Sequence, residues 1–269
     1  MTVASGTVFR LILDAPGNGQ ENMAVDEVLL ASVGDGHSPA TVRLYGFAPA
    51  ALSFGRFQRV RDKIDGEAVQ RAGITLVRRP TGGQAVLHDQ ELTYAVVLSK
   101  EHLEPFHKRE IYRFVAELLL SGLARLGVRG QSSRNRIGDP HNPDCFRSTG
   151  EYEIASRSAR KLIGSAQVVN RNASLQHGAI PLDTSYKRIG RYLALGKTEG
   201  HEEPGCLSEE LGRPVGLEET VKAFAEGFDS GLEHRGIRLQ TGELTNSEKE
   251  QAAELLGSKY SRDAWNLMY

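Results

Sequence analysis

The sequence has little of several things that define common protein classes. It contains only two cysteines, Cys145 and Cys206, among 269 residues, and a secreted disulfide scaffold would carry more. No apolar run approaches the ~20 residues that span a bilayer, and the first residues lack the charged start and apolar block of a secretory signal. We therefore expect a cytoplasmic protein with no membrane partner. Lys and Arg total 33 and Asp and Glu total 34, so the net charge of −1 argues against binding nucleic acid by bulk charge.

The patterns that are present predict a mixed α/β (α+β) fold, with a mostly antiparallel or mixed sheet flanked by helices. Strand patterns lie at residues 7–13, 41–47, 51–55, 74–79, 91–98, 151–155, 161–169 and 174–180. Helix patterns lie at 20–33, 65–71, 105–126, 217–232 and 247–256, and Gly127 is a natural stop for the third of them. In the first helix, Met23, Val25, Leu29 and Leu30 are apolar, whereas Asp26 and Glu27 are not. We predict a loop at 130–148 and a linker at 199–210, with residues 1–205 forming the main domain and 206–269 a small helical extension packed on it.

The first motif that suggests chemistry is RRPTGGQAVLHD at residues 78–89. Two arginines end a predicted strand and could contact a phosphate or a carboxylate. The glycine pair Gly82–Gly83 lets a backbone approach a ligand closely. The alternative interpretation is a tight turn with surface arginines.

The second motif pairs Cys145, in the polar segment GDPHNPDCFRSTG, with Lys161 in RKLIGSA. A buried structural thiol is not expected in such a loop. A free thiol has a pKa of about 8.5 and needs a nearby cation to become a thiolate near neutral pH. If the hairpin predicted at 151–169 folds back beneath the loop, Lys161 could be that cation. The alternative is a cysteine with no chemical role.

Five ordered segments resemble the lipoate–protein ligase, biotin ligase and octanoyltransferase superfamily, and most closely its cysteine-dependent octanoyltransferases. The segments are RRPTGGQAVLHD, CF followed by EYEI, RKLIGSAQ and LQHGAIPL, with support from ENMAVDEVLL, ALSFGRFQ and KYSRDAWN. The resemblance covers nearly the whole chain. It implies a biotin/lipoate ligase-like fold with an acyl-binding cleft.

The resemblance also implies an activity and site residues. The expected reaction moves an octanoyl group from acyl carrier protein to a lysine of the glycine cleavage system H protein, a step in lipoate biosynthesis. Cys145 would hold the acyl group as a thioester, and Lys161 would lower the pKa of that thiol. The expected substrate-binding residues are Arg79, Gly82, Gly83, His88, Gly164 and Ser165.

The chemistry is consistent with this implication. Attack of Cys145 on a thioester donor exchanges one thioester for another, and aminolysis by a lysine then forms an amide downhill, so no ATP, metal or redox cofactor is needed. Backbone N–H groups near Cys145 or at Gly164–Ser165 are candidate oxyanion donors. His88 is either a general base or a hydrogen-bonding partner of the fold. His177 is assigned a structural or pocket-lining role, and Cys206 no role.

Charge near the third strand suggests where acidic carrier proteins could dock. Arg56, Arg59, Arg61 and Lys63 form a local basic group. The alternative is an ordinary solvated surface.

Three other functions remain open at this point. An ATP-dependent lipoate ligase is disfavoured because Gln84 stands where such ligases carry a third glycine, and HDQELTYAV lacks their Gly-Asn pair. An amidotransferase that moves octanoyl from H protein to E2 subunits would use the same Cys and Lys. A non-catalytic acyl-binding or carrier-binding module would need no nucleophile.

Overall fold

The computed structural model describes residues 7–132, 137–138, 148–149, 153–193 and 204–269. Its strands are β1 (Val8–Leu13), β2 (Thr41–Tyr45), β3 (Ala51–Phe54), β4 (Thr75–Arg78), β5 (Val86–His88), β6 (Glu91–Ser99), β7 (Gly130–Ser132), β8 (Ile137–Gly138), β9 (Ser148–Thr149), β10 (Ile154–Ser156), β11 (Lys161–Val169), β12 (Ala173–Pro181) and β13 (Arg238–Thr241). Its α-helices are α1 (Gly19–Gly34), α2 (Gly66–Arg71), α3 (Lys108–Arg125), α4 (Leu207–Leu211), α5 (Leu217–Glu233), α6 (Asn246–Leu255) and α7 (Asp263–Asn266).

One eight-stranded mixed sheet organises the described residues. Its strand order is β13-β1-β2-β6-β12-β11-β10-β7. Strand β1 runs parallel to β13 and to β2, and every other neighbouring pair in this sheet is antiparallel. The predicted fold class, a mixed and largely antiparallel sheet flanked by helices, is therefore confirmed.

Helices cover both faces of this sheet. On one face, α3 and α5 pack together over an apolar cluster drawn from alternate positions of the strands. The two helices approach closely at Gly122 and Gly227, where neither residue has a side chain. A Cβ atom on Gly227 would lie 2.4 Å from the backbone nitrogen of Gly122. On the other face, α1 and α6 pack together, and α1 also contacts β6 and β12.

A second, three-stranded sheet with the order β4-β3-β5 lies on the α1 side. Ala51 on β3 and Val77 on β4 belong to the same buried cluster as Met23 and Leu29 of α1. This small sheet therefore stands opposite the large one, and the RRPTGGQAVLHD segment runs from the end of β4 into β5. The space between the two sheets is where a ligand could be held.

Local capping residues set the ends of the helices. Helix α1 begins after Asn18, whose side chain accepts a hydrogen bond from the Gln20 backbone, and α2 begins after Asp65, which caps Ala68 in the same way. Helix α3 ends just before Gly127, which adopts a positive φ of 82°. The stop predicted at Gly127 is therefore confirmed.

Two predictions about the connections were wrong, and one strand of the C-terminal segment was not predicted. Residues 130–132, placed in a loop, form the edge strand β7, which pairs with β10. Residues 204–210, placed in a linker, pack instead, since Cys206 and Leu207 are buried. The C-terminal segment is mainly helical but also contributes β13 to the large sheet. Each of these stretches is short or polar, and long-range pairing rather than local pattern fixes its structure.

None of the helices within the described ranges has the length and apolar character needed to cross a bilayer.

Candidate active site

An apolar cleft lies between the large sheet, β5 and α1. The residues that line it are Met23, Tyr45, Arg79, Val86, His88, Thr93, Gly164, Ser165, Ala166, His177, Gly178 and Ala179. Four of the predicted site residues, Arg79, His88, Gly164 and Ser165, are therefore brought together here.

The floor of the cleft is a row of residues in register across four strands of the large sheet. Gly164 on β11 pairs with Ala179 on β12, Ala179 with Thr93 on β6, and Thr93 with Tyr45 on β2. Gly164 has no side chain, Ala179 and Thr93 have small ones, and Tyr45 has a large one. The floor is therefore a trough that begins at Gly164 on β11 and ends at the Tyr45 ring on β2.

Arg79 organises the glycine loop beside the cleft. Its guanidinium donates to the Ser53 hydroxyl at 2.6 Å, and to the backbone carbonyls of Gly82 at 3.1 Å and Gln84 at 2.9 Å. Gly83 has a φ of 92°, which favours glycine. Gly82 and Gly83 are not among the cleft-lining residues, so they shape the loop rather than form the wall.

Arg78, the other arginine of the motif, points away from the cleft. Its side chain donates to the backbone carbonyls of Gly55 at 2.7 Å, Gln58 at 2.9 Å and Trp265 at 3.2 Å. Burial lowers the pKa of this guanidinium below its ordinary value. Arg78 therefore braces the loop after β3, and the interpretation of both arginines as surface residues of a turn is wrong, because both are buried.

His88 has hydrogen-bonding partners at both ring nitrogens. Nδ1 lies 2.6 Å from Glu91 Oε1, and Nε2 lies 2.7 Å from Ser53 Oγ. Because an ionised carboxylate can only accept, Nδ1 donates to Glu91. The ring also stacks on Phe47 with centroids 4.1 Å apart. This arrangement favours the hydrogen-bonding role of His88 over that of a general base.

His177 is held in the same manner by a different carboxylate. Nδ1 lies 2.8 Å from Asp26 Oδ2, and Nε2 lies 2.7 Å from the Thr81 hydroxyl. Burial lowers the pKa of His177, so the ring is neutral and donates from Nδ1 to Asp26. The pocket-lining position assigned to His177 is confirmed, and through Thr81 the ring also anchors the glycine loop.

Asp26 is a site residue that the sequence analysis did not identify. It is fully buried on α1 and also accepts from Tyr45 Oη at 2.8 Å and from Arg43 Nη1 at 2.9 Å. Burial works to raise its pKa, but the His177 hydrogen bond and the Arg43 charge outweigh burial and hold the pKa below its ordinary value. The available signal was its position three residues after Met23, on the stripe that faces the sheet.

Lys161 is buried in an ion pair with Glu153, whose Oε1 lies 2.9 Å from Lys161 Nζ. The same oxygen lies 3.5 Å from the backbone nitrogen of Ser165, which lines the cleft. One carboxylate thus connects the ammonium group to the β11 end of the cleft. Glu153 was not singled out from the sequence, although it lies in the EYEI segment. Cys145, the predicted nucleophile, lies outside the described residues.

Cys206 is buried beside Val86, Ala179 and Tyr186. The structure therefore places this thiol behind the cleft wall, in a packed cluster. Within the described part of the chain, no group of three or more His, Cys, Asp or Glu side chains is arranged to hold a metal ion.

The basic group after β3 lies beside the cleft loop. The Arg56 backbone donates to the carbonyl of Thr81 at 2.8 Å, and the Arg56 guanidinium lies 4.6 Å from the Trp265 ring centroid. Phe57 is 75% exposed, and its ring centroid lies 5.8 Å from the Arg56 guanidinium. Arg59, Arg61 and Lys63, which follow in sequence, are also exposed.

Comparisons with known proteins agree with this geometry. The sequence model of the lipoyl protein ligase A/B catalytic domain matches residues 18–229. The chain is 39% identical over 273 residues to octanoyltransferase LipM of Kyrpidia tusciae, covering 96% of this chain and 98% of that protein. It is 36% identical over 261 residues to octanoyltransferase LipM of Bacillus subtilis, covering 91% and 92%. A crystal structure of lipoate-protein ligase A bound with ATP matches with a TM-score of 0.80 and 25% identity, over 97% of this chain and 99% of that one.

Proposed function

The chain belongs to the lipoyl protein ligase A/B catalytic domain family, and on that premise we propose that it is a protein N-octanoyltransferase of lipoate biosynthesis. It takes an octanoyl group from acyl carrier protein and passes it, through a thioester on Cys145, to a lysine of the glycine cleavage system H protein. The single observation that carries the proposal is the convergence of three motif segments on one apolar cleft, with Arg79, Ser165 and His177 in its walls.

The proposed chemistry has two halves. The Cys145 thiolate attacks the carbonyl carbon of the donor thioester, and the carrier leaves as its own thiolate, which takes up a proton. The neutral amine of the acceptor lysine then attacks the Cys145 thioester, the Cys145 thiolate leaves, and the product amide loses a proton to solvent. Covalent catalysis lets two carrier proteins visit the site in turn rather than together.

Lys161 and Glu153 support this chemistry from the end of the cleft at β11. A cation near Cys145 favours the thiolate, and Lys161 is the buried cation closest in sequence to that end. Glu153 acts as a positioning residue, because its Oε1 holds the ammonium group at 2.9 Å. The proposal requires the Cys145 sulfur to reach this ammonium group.

The partners are expected to dock at the exposed loop that carries Phe57, Arg59 and Arg61. Arg78 fixes this loop by donating to the carbonyls of Gly55 and Gln58, so the loop presents Phe57 without much loss of freedom on binding. An exposed aromatic residue in a segment rich in exposed cations fits an acidic protein surface that carries some apolar groups. A carrier docked there would lie beside the glycine loop, and the reaction would take place in the cytoplasm.

One observation favours a second candidate, an ATP-dependent lipoate ligase, because the chain matches a solved ligase bound with ATP over almost its whole length. Such an enzyme would release AMP when given free octanoate and ATP. The proposed transferase would release none and would need a thioester donor. The amidotransferase alternative is tested by giving the protein octanoylated H protein as donor and an E2 subunit as acceptor. An amidotransferase would move the octanoyl group to E2.

The experiment that tests the proposal is intact-protein mass spectrometry after mixing the protein with octanoyl acyl carrier protein, followed by addition of H protein. We expect one octanoyl adduct that disappears as H protein gains the same mass. Cys145→Ala removes both the adduct and the transfer, whereas the matched variant Cys206→Ala keeps both, because Cys206 is buried behind the cleft. Transfer at the normal rate by Cys145→Ala would exclude the thioester mechanism.

A further inference from the structure

We propose that Met23 of α1 sets the length of acyl chain that the cleft accepts, with Tyr45 as the fixed end wall. The inference rests on the proposed function, since it assumes that an acyl chain lies in this cleft. It assigns a specificity-determining role to a residue whose position in the sequence suggests only helix packing.

The cleft has a direction that the sheet register defines. Its floor runs across the strands from Gly164 through Ala179 and Thr93 to Tyr45. Neighbouring strands lie about 4.7–4.9 Å apart, so the row spans roughly 14 Å between backbones. The side chains lie on one face of the sheet, because the paired positions in neighbouring strands point the same way.

The reacting end is at β11. Glu153 Oε1 accepts from the Lys161 ammonium group at 2.9 Å and lies 3.5 Å from the backbone nitrogen of Ser165, which lines the cleft. The opposite end is closed, since Met23 and Tyr45 are each only 1% exposed. An acyl chain with its carbonyl at β11 therefore points its terminal methyl group toward Met23 and Tyr45.

The two residues of the closed end differ in how firmly they are held. The Tyr45 hydroxyl donates to Asp26, and the Arg43 guanidinium lies 4.0 Å from the centre of the Tyr45 ring. The Met23 side chain ends in a thioether, which forms no strong hydrogen bond, so packing alone holds it in place. Tyr45 is thus a rigid wall, and Met23 is the side chain whose size decides how far the cleft extends.

Helix α1 supplies a matched control. Leu29 is as deeply buried as Met23 and belongs to the same apolar cluster, but it does not line the cleft. Met23→Ala and Leu29→Ala remove similar apolar volumes from the same helix. Only the first opens space at the end of the trough.

The test is a competition in which the protein meets equal amounts of octanoyl and decanoyl acyl carrier protein, and mass spectrometry counts the two adducts. Burial of one methylene changes a rate constant by about fourfold, so two extra methylenes accommodated by Met23→Ala should raise the decanoyl-to-octanoyl ratio roughly tenfold or more. Leu29→Ala should leave the ratio within about twofold of the original. A second competition uses equal amounts of hexanoyl and octanoyl acyl carrier protein. There, Ala179→Val, which narrows the middle of the trough, should increase the share of the hexanoyl adduct.

Binding of the free acids measures the same preference without the chemistry. Calorimetric titration with hexanoate, octanoate and decanoate should give an optimum at octanoate for the original protein and at decanoate for Met23→Ala. Adducts that form with an unchanged ratio, or an optimum that Met23→Ala and Leu29→Ala shift alike, overturn the role of Met23. If no adduct forms at all but the binding optimum shifts as stated, the proposed function fails and the chain-length role stands.

Discussion

The two faces of the large sheet bury very different material. The face covered by α3 and α5 buries an apolar cluster that includes Phe114, Phe224 and Phe228. The face covered by α1 and α6 buries Arg43, Asp26 and His177, and a further ion pair between Arg10 and Glu248. One sheet therefore carries a conventional apolar core on one side, and on the other side an apolar cluster that also contains buried, hydrogen-bonded charges.

The difference shows that buried charged and polar side chains lie mainly on the side of the sheet that carries the cleft. A buried charged group is costly unless its partners satisfy it, and such groups gather here around the cleft. The apolar face stabilises the fold through close packing, as the contact between Gly122 and Gly227 illustrates. Variants on the two faces should accordingly affect different measured quantities.

The largest expected effect comes from Lys161→Met, which keeps the apolar stem of the side chain and removes its charge. We expect the rate of Cys145 acylation to fall about a hundredfold or more, since a stabilised thiolate is the nucleophile. The pH midpoint for alkylation of Cys145 by iodoacetamide should rise toward the value of about 8.5 for a free thiol. Mass spectrometry of samples quenched at successive times during a single turnover measures the rate of Cys145 acylation.

The control for this variant addresses folding. Lys161→Met leaves the buried Glu153 carboxylate without this cation, which costs stability. The double variant Lys161→Met/Glu153→Gln removes both charges and should recover stability in urea while its acylation stays slow. An alkylation profile identical to that of the original protein would show that Lys161 does not act on the thiol.

An intermediate effect contrasts the faces through stability. Gly227→Val, on the apolar face, places a side chain against the Gly122 backbone, and we expect a loss of about 3 kcal/mol that is the same at pH 7 and pH 3. Glu248→Gln, on the charged face, removes a carboxylate that accepts from Arg10 at 2.7 and 2.8 Å, and we expect a loss of about 2 kcal/mol at pH 7.

The pH dependence separates these two variants. Burial works to raise the pKa of Glu248, but hydrogen bonds from Arg10, Thr245 and Ser38 outweigh it and lower the pKa to about 2. The carboxylate therefore stabilises the folded state fully above the unfolded pKa of 4.5, and this contribution disappears as pH falls toward 2. Urea unfolding should show the deficit of Glu248→Gln shrinking between pH 4.5 and pH 2.5, and an undiminished deficit would contradict the assignment.

The smallest expected effect concerns the loop that presents Phe57. Arg59→Glu/Arg61→Glu should raise KM for acyl carrier protein severalfold with little change in kcat, and should weaken the dependence of KM on salt. Lys222→Glu reverses a charge on α5, at the opposite face of the sheet, and should leave KM unchanged. Equal effects of the two sets of variants would remove the loop as a docking surface.

Local patterns predicted most of the fold and only part of the site. Helix α1 and strands β6 and β11 follow from periodicity and capping, which depend on near neighbours in the sequence. Strand β7 and strand β13 depend on partners far along the chain, so their short polar sequences gave no signal. The motifs located Arg79 and His88 in the cleft.

The residues missed at the site share one property. Asp26, Glu91 and Glu153 are carboxylates whose partners are His177, His88 and Lys161. A carboxylate on a helix or strand looks like a solvated residue until its partner is known. For Asp26 the partner lies 151 positions later, so the local helical pattern could indicate that Asp26 is buried but could not identify His177 as its partner.

The parallel pairing of β13 with β1 has a consequence for synthesis of the protein. Val8 lies beside Arg238 and Leu11 beside Thr241, so the outer neighbour of β1 is a segment that the ribosome makes much later. A nascent chain must carry β1 with an open edge until β13 has been made, and such edges invite wrong pairing. Ribosome-bound intermediates of this protein should therefore depend on chaperones until residue 241 has emerged.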